Sequence, residues 1–366
     1  MNKELSLRQI AYMFVFISIS PIIRQLPRAL ASEAGRSAYI SPFWSAIAMI
    51  LITAIVLGLL KAFPGFNLYE IMLQLAGTFF TKIIILGYLL WIMLSLVAKI
   101  NIYSHTLQFT LMPQTRSNFF LITLIVLVSY ALLRGIKTVF RFSEFTLGTI
   151  LVLFIILFLC ALPKVRPDYL LPVSTIHLMD TVRASKSILA VGGNIIIVLF
   201  LADKLGISIT TKQKRRVWIG VLIFILLNFF ITLFTIGITG ASLTANLPFP
   251  FYITVKSISF FNILERFEVI VTLICTLSDF IAICIFTILT IRCLEWLFQL
   301  KEKSFLYAPL ITIIYYLTFY VSKTQFEFEF LYQNVILYIN LIFQYAIPIL
   351  LGLLCLIKGK KIKKQY

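Results

Sequence analysis

Acidic residues and histidines are scarce in this chain, which has 14 Asp and Glu and two His among its 366 residues. The five cysteines all fall in or at the ends of predicted membrane spans, so they form neither a disulfide framework nor a metal-ligand spacing. The HExxH, Walker A and GxSxG patterns are absent, as is any nucleophile–base constellation. The sequence therefore predicts neither an enzyme nor a protein with a cofactor or metal.

Hydrophobic residues dominate the composition of the chain. They make up 61% of the chain, and the mean hydropathy is +1.02, well above that of a soluble domain. The net charge of +18 is a possible signature of nucleic-acid binding, but the Lys and Arg residues sit in short loops beside apolar runs. We therefore predict an all-α polytopic membrane protein with one transmembrane domain over residues 1–366, embedded in a lipid bilayer and binding no nucleic acid.

Hydropathy and loop charge predict ten membrane spans. They lie at about 7–33, 40–61, 81–103, 118–134, 144–162, 186–203, 217–240, 267–292, 305–322 and 334–357. Most of the 32 Lys and Arg residues fall on the cytosolic side if the N-terminus is cytosolic. Both termini are thus expected in the cytosol, since positive charge favours that side. The loops at 163–185 and 241–265 then face outside, the second with a short helix near 251–259.

The first predicted span contains a break. The 14 residues before Arg24 are mostly apolar, but as a helix they cover only about 21 Å of a bilayer core of about 30 Å. Ser20 and Pro21 are the residue types of a new helix start, with Ser as the cap and Pro at the first helical position. We predict two half-helices, 5–18 and 21–34, with irregular backbone between them that lines a protected cavity.

The sixth predicted span is the counterpart of the first. Ten spans divide into two sets of five, at about 5–162 and 186–357, and a repeat between such sets is inverted because the second set starts on the opposite side of the membrane. The sixth span is short and carries Gly192-Gly193-Asn194 near its middle. Paired breaks of this kind are typical of a transporter's binding site. The alternative is that the two glycines allow close helix packing.

Charged residues inside the predicted spans are few. Asp279 lies near the middle of the eighth span, where a carboxylate is costly and indicates a function by default. It is predicted to hold a proton or a cation, or to meet a backbone N–H at a helix break. The alternative is a structural hydrogen bond to a neighbouring helix. Lys99 is predicted to extend to the outer interface, and Arg24 and Arg28 to be interfacial anchors.

The predicted ligand site combines the two breaks with polar residues of the third and eighth spans. Ser95, Thr276 and Ser278 offer oxygen ligands there, or else serve as ordinary packing residues. The candidate ligand-binding residues are Ser18, Ser20, Pro21, Ser95, Gly192, Gly193, Asn194, Thr276 and Ser278. A ligand carboxylate is expected at the N-terminus of the half-helix that follows Ser20-Pro21, where free N–H groups and the positive dipole end favour an anion.

Several motifs carry a family resemblance. They are Leu26-Pro27-Arg28, Glu33-Ala34-Gly35-Arg36 with Ser41, Phe63-Pro64-Gly65, Leu111-Met112-Pro113-Gln114-Thr115, Leu170-Leu171-Pro172-Val173, Phe249-Pro250 and Leu264-Glu265-Arg266-Phe267-Glu268. In order and spacing they resemble the endospore germination permease family, the B subunits of spore germinant receptors. Single motifs such as Phe-Pro-Gly are weak signals, whereas the ordered set is fairly specific. Asp279 matches no motif of the family.

The resemblance implies a fold, a function and partners. The family belongs with the amino acid–polyamine–organocation transporters, which implies ten helices in an inverted, LeuT-like five-plus-five repeat with discontinuous first and sixth helices. It implies a germinant-sensing subunit in the spore inner membrane that binds a small nutrient, with an amino acid as the expected ligand. The implied partners are a larger membrane A subunit and a lipid-anchored lipoprotein C subunit. The alternative is a secondary amino acid transporter coupled to protons or cations, which needs the same pocket.

Overall fold

The described part of the chain is built of α-helices and short helical turns, with no strand. A computed structural model describes residues 5–110, 114–115, 117–171, 178–205, 211–258, 267–300, 306–321, 327 and 330–362. Eight helical stretches in it are long and apolar enough to cross a membrane. They are Leu7–Arg24, Leu26–Ala62, Thr78–Thr110, Ile136–Lys164, Leu178–Phe200, Thr211–Thr239, Glu268–Phe298 and Tyr332–Lys358. The prediction of an all-α multi-pass membrane protein is confirmed.

The helices follow the chain in the predicted order. They are α1 Leu7–Arg24, α2 Leu26–Ala34, α3 Ser41–Ala62, α4 Leu68–Ala76, α5 Thr78–Thr110, α6 Ser117–Leu133, α7 Ile136–Ala161, α8 Pro167–Leu170, α9 Leu178–Gly192, α10 Ile197–Phe200, α11 Thr211–Thr239, α12 Ala241–Asn246, α13 Pro250–Lys256, α14 Glu268–Phe298, α15 Tyr307–Val321, α16 Leu337–Leu341 and α17 Ile347–Ile362. Two π-helical segments, Tyr332–Ile336 and Ile342–Ala346, make 332–362 one continuous stretch, here called the terminal helix.

The predicted spans coincide with helices, with differences at their ends. The fourth and ninth spans correspond to shorter apolar helices, Asn118–Leu133 and Pro309–Thr318. The sixth span begins at Leu178 rather than at 186, because the polar start of α9 is helical although its hydropathy is low. The predicted short helix near 251–259 is present as α13, Pro250–Lys256.

Helix α4 was not predicted. It starts with a capping box, in which the Asn67 side chain accepts from the Glu70 N–H at 3.0 Å and the Glu70 carboxylate accepts from the Asn67 N–H at 2.9 Å. The Phe63-Pro64-Gly65 motif precedes it and ends α3 in a turn, with Gly65 at a φ of 82°.

Helix α1 lies at the centre of the molecule. Nearly all its residues are buried, and it packs against α7, α11 and α14. Its polar residues Ser18, Ser20 and Arg24 are buried as well, which keeps them away from lipid. Helices nearer the periphery carry exposed apolar side chains such as Phe145 on α7, which is 83% exposed and suited to lipid. The polar residues of α1 are therefore enclosed by protein.

Candidate functional site

A central cavity lies between α1, α5, α9, α14 and the terminal helix. The space between its lining atoms is about 550 Å³, which includes space open to solvent. Its lining residues are Ser20, Pro21, Gln25, Ser95, Ala98, Lys99, Ile102, Ala190, Val191, Asn194, Asp279, Phe286, Tyr332, Ile336, Asn340 and Gln344. Amides, hydroxyls and charges enclosed among membrane-spanning helices are expensive to place there, which favours a binding role for the cavity.

The backbone of α1 is continuous where a break was predicted. The helix runs through Ser20 and Pro21 to Arg24, and the turn between α1 and α2 comes at Gln25. The half-helix bounds 5–18 and 21–34 are therefore wrong, and Pro21 starts no new helix. The expected carboxylate site at a helix N-terminus after Ser20-Pro21 is lost with them.

A side chain of α14 is inserted into α1 instead. The Ser278 hydroxyl donates to the Phe16 carbonyl at 2.6 Å and accepts from the Ser20 N–H at 3.1 Å. In an α-helix these two backbone groups are also partners of each other, so the hydroxyl bonds both members of one helical pair. Pro21, which has no N–H, makes this part of the helix weaker. Ser278 thus joins α14 directly to the backbone of α1.

We predict that Ser278→Ala lowers the free energy of unfolding by about 1–3 kcal/mol, because it removes two buried hydrogen bonds between α14 and the backbone of α1, at about 0.5–1.5 kcal/mol each. Thr276→Val on the same helix is the matched control, since the Thr276 hydroxyl bonds only the Thr272 carbonyl of α14, at 2.8 Å. Thermal unfolding of the purified protein in detergent measures both effects. Equal melting temperatures for the two variants would show that the inserted hydroxyl contributes nothing.

Asp279 forms a buried ion pair with Arg24. The side chains are 4% and 2% exposed, and one guanidinium nitrogen donates to both the Asp279 carboxylate and the Ser20 hydroxyl. The second terminal nitrogen of the guanidinium donates to the Thr106 hydroxyl at 2.6 Å and to the Ile102 carbonyl at 3.3 Å. Arg24 is therefore no interfacial anchor, because its charge is matched inside the protein. The Asp279 carboxylate joins α14 to α1, which agrees with the alternative role of a structural hydrogen bond to a neighbouring helix.

The sixth span is tightened at its glycines rather than unwound. The 3₁₀ turn Gly193–Ile196 joins α9 to α10. A Cβ atom on Gly192 would collide with the Met49 sulfur, and one on Gly193 would collide with Gln344 and lie 2.7 Å from the Tyr345 ring. These glycines permit close helix contacts, as in the alternative interpretation of the sequence. Asn194, the next residue, does face the cavity.

The terminal helix supplies four cavity residues at four-residue spacing: Tyr332, Ile336, Asn340 and Gln344. A π turn takes up more residues than the 3.6 of an α turn, so the two π segments keep this spacing on one face. The Asn340 side chain accepts from the Trp91 indole at 2.7 Å and donates to the Ala190 carbonyl at 3.3 Å. The Gln344 amide donates to Asn194 at 3.0 Å. These bonds tie the terminal helix to the sixth span.

Lys99 points into the cavity and not towards the outer interface. Its ammonium nitrogen lies 5.1 Å from the centre of the Phe286 ring, an attractive contact for a cation. The prediction that Lys99 extends to the membrane surface is therefore wrong. Ser95, one turn earlier on α5, lies on the same face and lines the same cavity.

The predicted site residues divide into two groups. Those that line the central cavity are Ser20, Pro21, Ser95, Asn194 and Asp279; those that do not are Ser18, Gly192, Gly193, Thr276 and Ser278. The Ser18 hydroxyl donates to the Phe14 carbonyl of its own helix at 2.8 Å. The sequence analysis missed Gln25, Lys99, Phe286, Tyr332, Asn340 and Gln344. Asn340 and Gln344 were visible as polar residues inside the tenth predicted span, which is the signal that should have identified them.

A second cavity adjoins the first and shares Gln25, Ile102 and Tyr332 with it. The space between its lining atoms is about 600 Å³, and Arg28 and Phe249 are among them. The Arg28 guanidinium donates to the Ala245 carbonyl of α12 at 3.3 Å, so this residue also lies against protein. The second cavity leads from the central one towards α12 and the segment before α13, in the predicted outer loop 241–265.

A comparison with known protein families finds a match. A family described as spore germination protein matches residues 4–327 of the chain. No curated protein matches it. The motifs at 26–41, 63–65, 249–250 and 267–268 fall on described residues, whereas 111–113, 172–173 and 264–266 lie outside them. The match covers the central cavity except for its lining residues on the terminal helix.

Proposed function

The chain belongs to the spore germination protein family, and on that premise we propose that it is the B subunit of a germinant receptor. It binds a small nutrient in the central cavity, and the expected nutrient is an amino acid. The supporting observation is that charged and amide side chains from both halves of the chain converge on this enclosed space at membrane depth. Binding favours one arrangement of the surrounding helices over another, and that difference constitutes the signal.

The proposal includes an architecture and partners. Ten spans form an inverted five-plus-five repeat, with its irregular elements at Gln25 and at Gly193–Ile196 in the first and sixth spans. The chain lies in the spore inner membrane with both termini in the cytosol. It works with a larger membrane A subunit and a lipoprotein C subunit, which carry the signal onward.

A secondary amino acid transporter is the second candidate. The observation in its favour is that a second cavity adjoins the central one and shares three lining residues with it. Uptake of radiolabelled amino acids into proteoliposomes that contain the purified protein separates the two functions. Accumulation above that of empty liposomes would favour the transporter, and binding without uptake the receptor subunit.

Germination of spores tests the receptor function. Spores that carry Ser95→Leu should respond much less to a panel of common amino acids and sugars, because the added side chain fills the cavity. Leu90→Phe is the control, since Leu90 lies on the lipid-facing side of the same helix and is 62% exposed. Unchanged responses in Ser95→Leu spores, at wild-type protein abundance, would contradict a nutrient site in this cavity.

We predict the topology from the asymmetry of Lys and Arg in the loops. In a cysteine-free background, Asp168→Cys should react with a membrane-impermeant maleimide added to intact cells. Lys212→Cys should react only after permeabilisation. Both side chains are exposed, so access depends on the side of the membrane and not on burial. The reverse pattern would contradict cytosolic termini.

A further inference from the structure

Lys99 introduces a cation that the surrounding protein does not neutralise. Its ammonium lies among the lining residues of the central cavity and over the Phe286 ring. Among the described residues it has no hydrogen bond or ion pair. An ammonium that lines a cavity among membrane-spanning helices without an ion-pair partner is costly, so its presence there indicates a partner that arrives from outside the chain.

The charge balance of the cavity supports this. Asp279 is the only carboxylate among the described lining residues, and Arg24 already pairs with it on the side of α1. The Ser20 and Thr106 hydroxyls accept hydrogen bonds from Arg24 and hold its guanidinium beside Asp279. The Asp279 carboxylate is therefore already paired. The three charges therefore sum to one positive charge, and Lys99 carries it.

Among the described residues that line the central cavity, Lys99 is the only cation. The continuous α1 offers no free helix N-terminus at Ser20-Pro21, since the Ser20 N–H is bonded to Ser278. Asn194, Asn340 and Gln344 are amides already joined to one another or to neighbouring backbone and indole groups. They can orient a ligand but carry no charge to balance it.

We propose that Lys99 binds the carboxylate of the germinant, so that this cavity takes ligands with an anionic group and rejects neutral ones. This inference rests on the proposed function and gives its ligand a chemical class, the free amino acids and other small carboxylates. Ser95, on the same face of α5, offers a second donor beside the ammonium. The Phe286 ring lies beneath the ammonium and attracts it.

Binding to the purified full-length protein in detergent tests the proposal. The probes are the common amino acids and, for each, its carboxamide, which has the same side chain and ammonium but no carboxylate. Wild type should bind at least one amino acid and bind its amide about 10- to 100-fold more weakly, the value of a charge-assisted hydrogen bond. Lys99→Met should lose the same factor for the acid and bind acid and amide alike.

Lys82→Met is the matched control, because Lys82 lies on the same helix but is exposed, and it should bind as wild type does. If Lys99→Met binds the amino acid as tightly as wild type, the assignment of Lys99 fails while the proposed function stands. If wild type binds the amide as tightly as the acid, the anionic class is likewise overturned. If wild type binds none of the probes, the nutrient-binding function itself fails and takes the inference with it.

Discussion

Asp279→Asn is expected to lower the free energy of unfolding by about 3–5 kcal/mol, the cost of leaving one partner of a buried ion pair without the other. Arg24 would keep its charge at 3% exposure, with only neutral hydrogen-bond partners. The measurements are protein abundance in isolated membranes and thermal unfolding in detergent. A loss of germination response in this variant would follow from the loss of protein.

A double variant separates stability from function. Arg24→Met combined with Asp279→Leu removes both charges together and should restore abundance, since an apolar pair of similar volume replaces a buried ion pair at little cost. Arg8→Gln is the control for a less buried pair. Its side chain, 40% exposed, pairs with Glu144, and the loss should be below about 1 kcal/mol. Normal abundance of the Asp279→Asn single variant would show that the pair does not hold α1 to α14.

Gly193→Leu is expected to prevent normal accumulation of the protein. The new side chain would start inside the space held by Gln344 and the Tyr345 ring of the terminal helix, and overpacking of this kind costs typically about 1–3 kcal/mol and occasionally more. Gly193→Ala should show a smaller loss in the same direction, because even the single methyl group meets Gln344. Membrane abundance and melting temperature are the measurements for both.

Gly58→Leu is the matched control for this contact. Gly58 is exposed on α3, and a Cβ atom there meets nothing within 4 Å. The substitution should be neutral or stabilising, since Leu is the better helix former by about 1 kcal/mol. If Gly193→Leu accumulates as well as Gly58→Leu does, the sixth span does not press against the terminal helix at this point.

The positions of the helices were largely predictable, because hydropathy over about 20 residues is a local property of the sequence. Helix α4 also has a local sequence signal, the Asn67–Glu70 capping box, so it too was predictable. The interior of α1 was not predictable in this way. Its Ser20 N–H donates to Ser278, 258 residues further along, and no local pattern states which distant hydroxyl will bond the backbone of a helix.

The candidate site was predicted in part, for the same reason. Asn194 and Asp279 were identified from their cost at membrane depth, and both line the cavity. Gly193 was predicted to unwind the sixth span, but it allows close packing of the terminal helix instead. The sequence does not distinguish a glycine that interrupts a helix from a glycine at a close helix contact. Lys99 was assigned to the interface since a long cationic side chain commonly reaches it, and only tertiary packing shows that this one turns inward.

The contacts of α1 also set an order for the synthesis of the protein. Helix α1 is made before α14, yet it carries an arginine that costs up to about 3 kcal/mol within a lipid-exposed helix. The partner of that arginine, Asp279, is made 255 residues later, and the hydroxyl that bonds the backbone of α1 belongs to the adjacent Ser278. Until α14 has been inserted, Arg24 therefore lacks the carboxylate that balances its charge. Helix α1 thus completes its buried contacts only when α14 is in place.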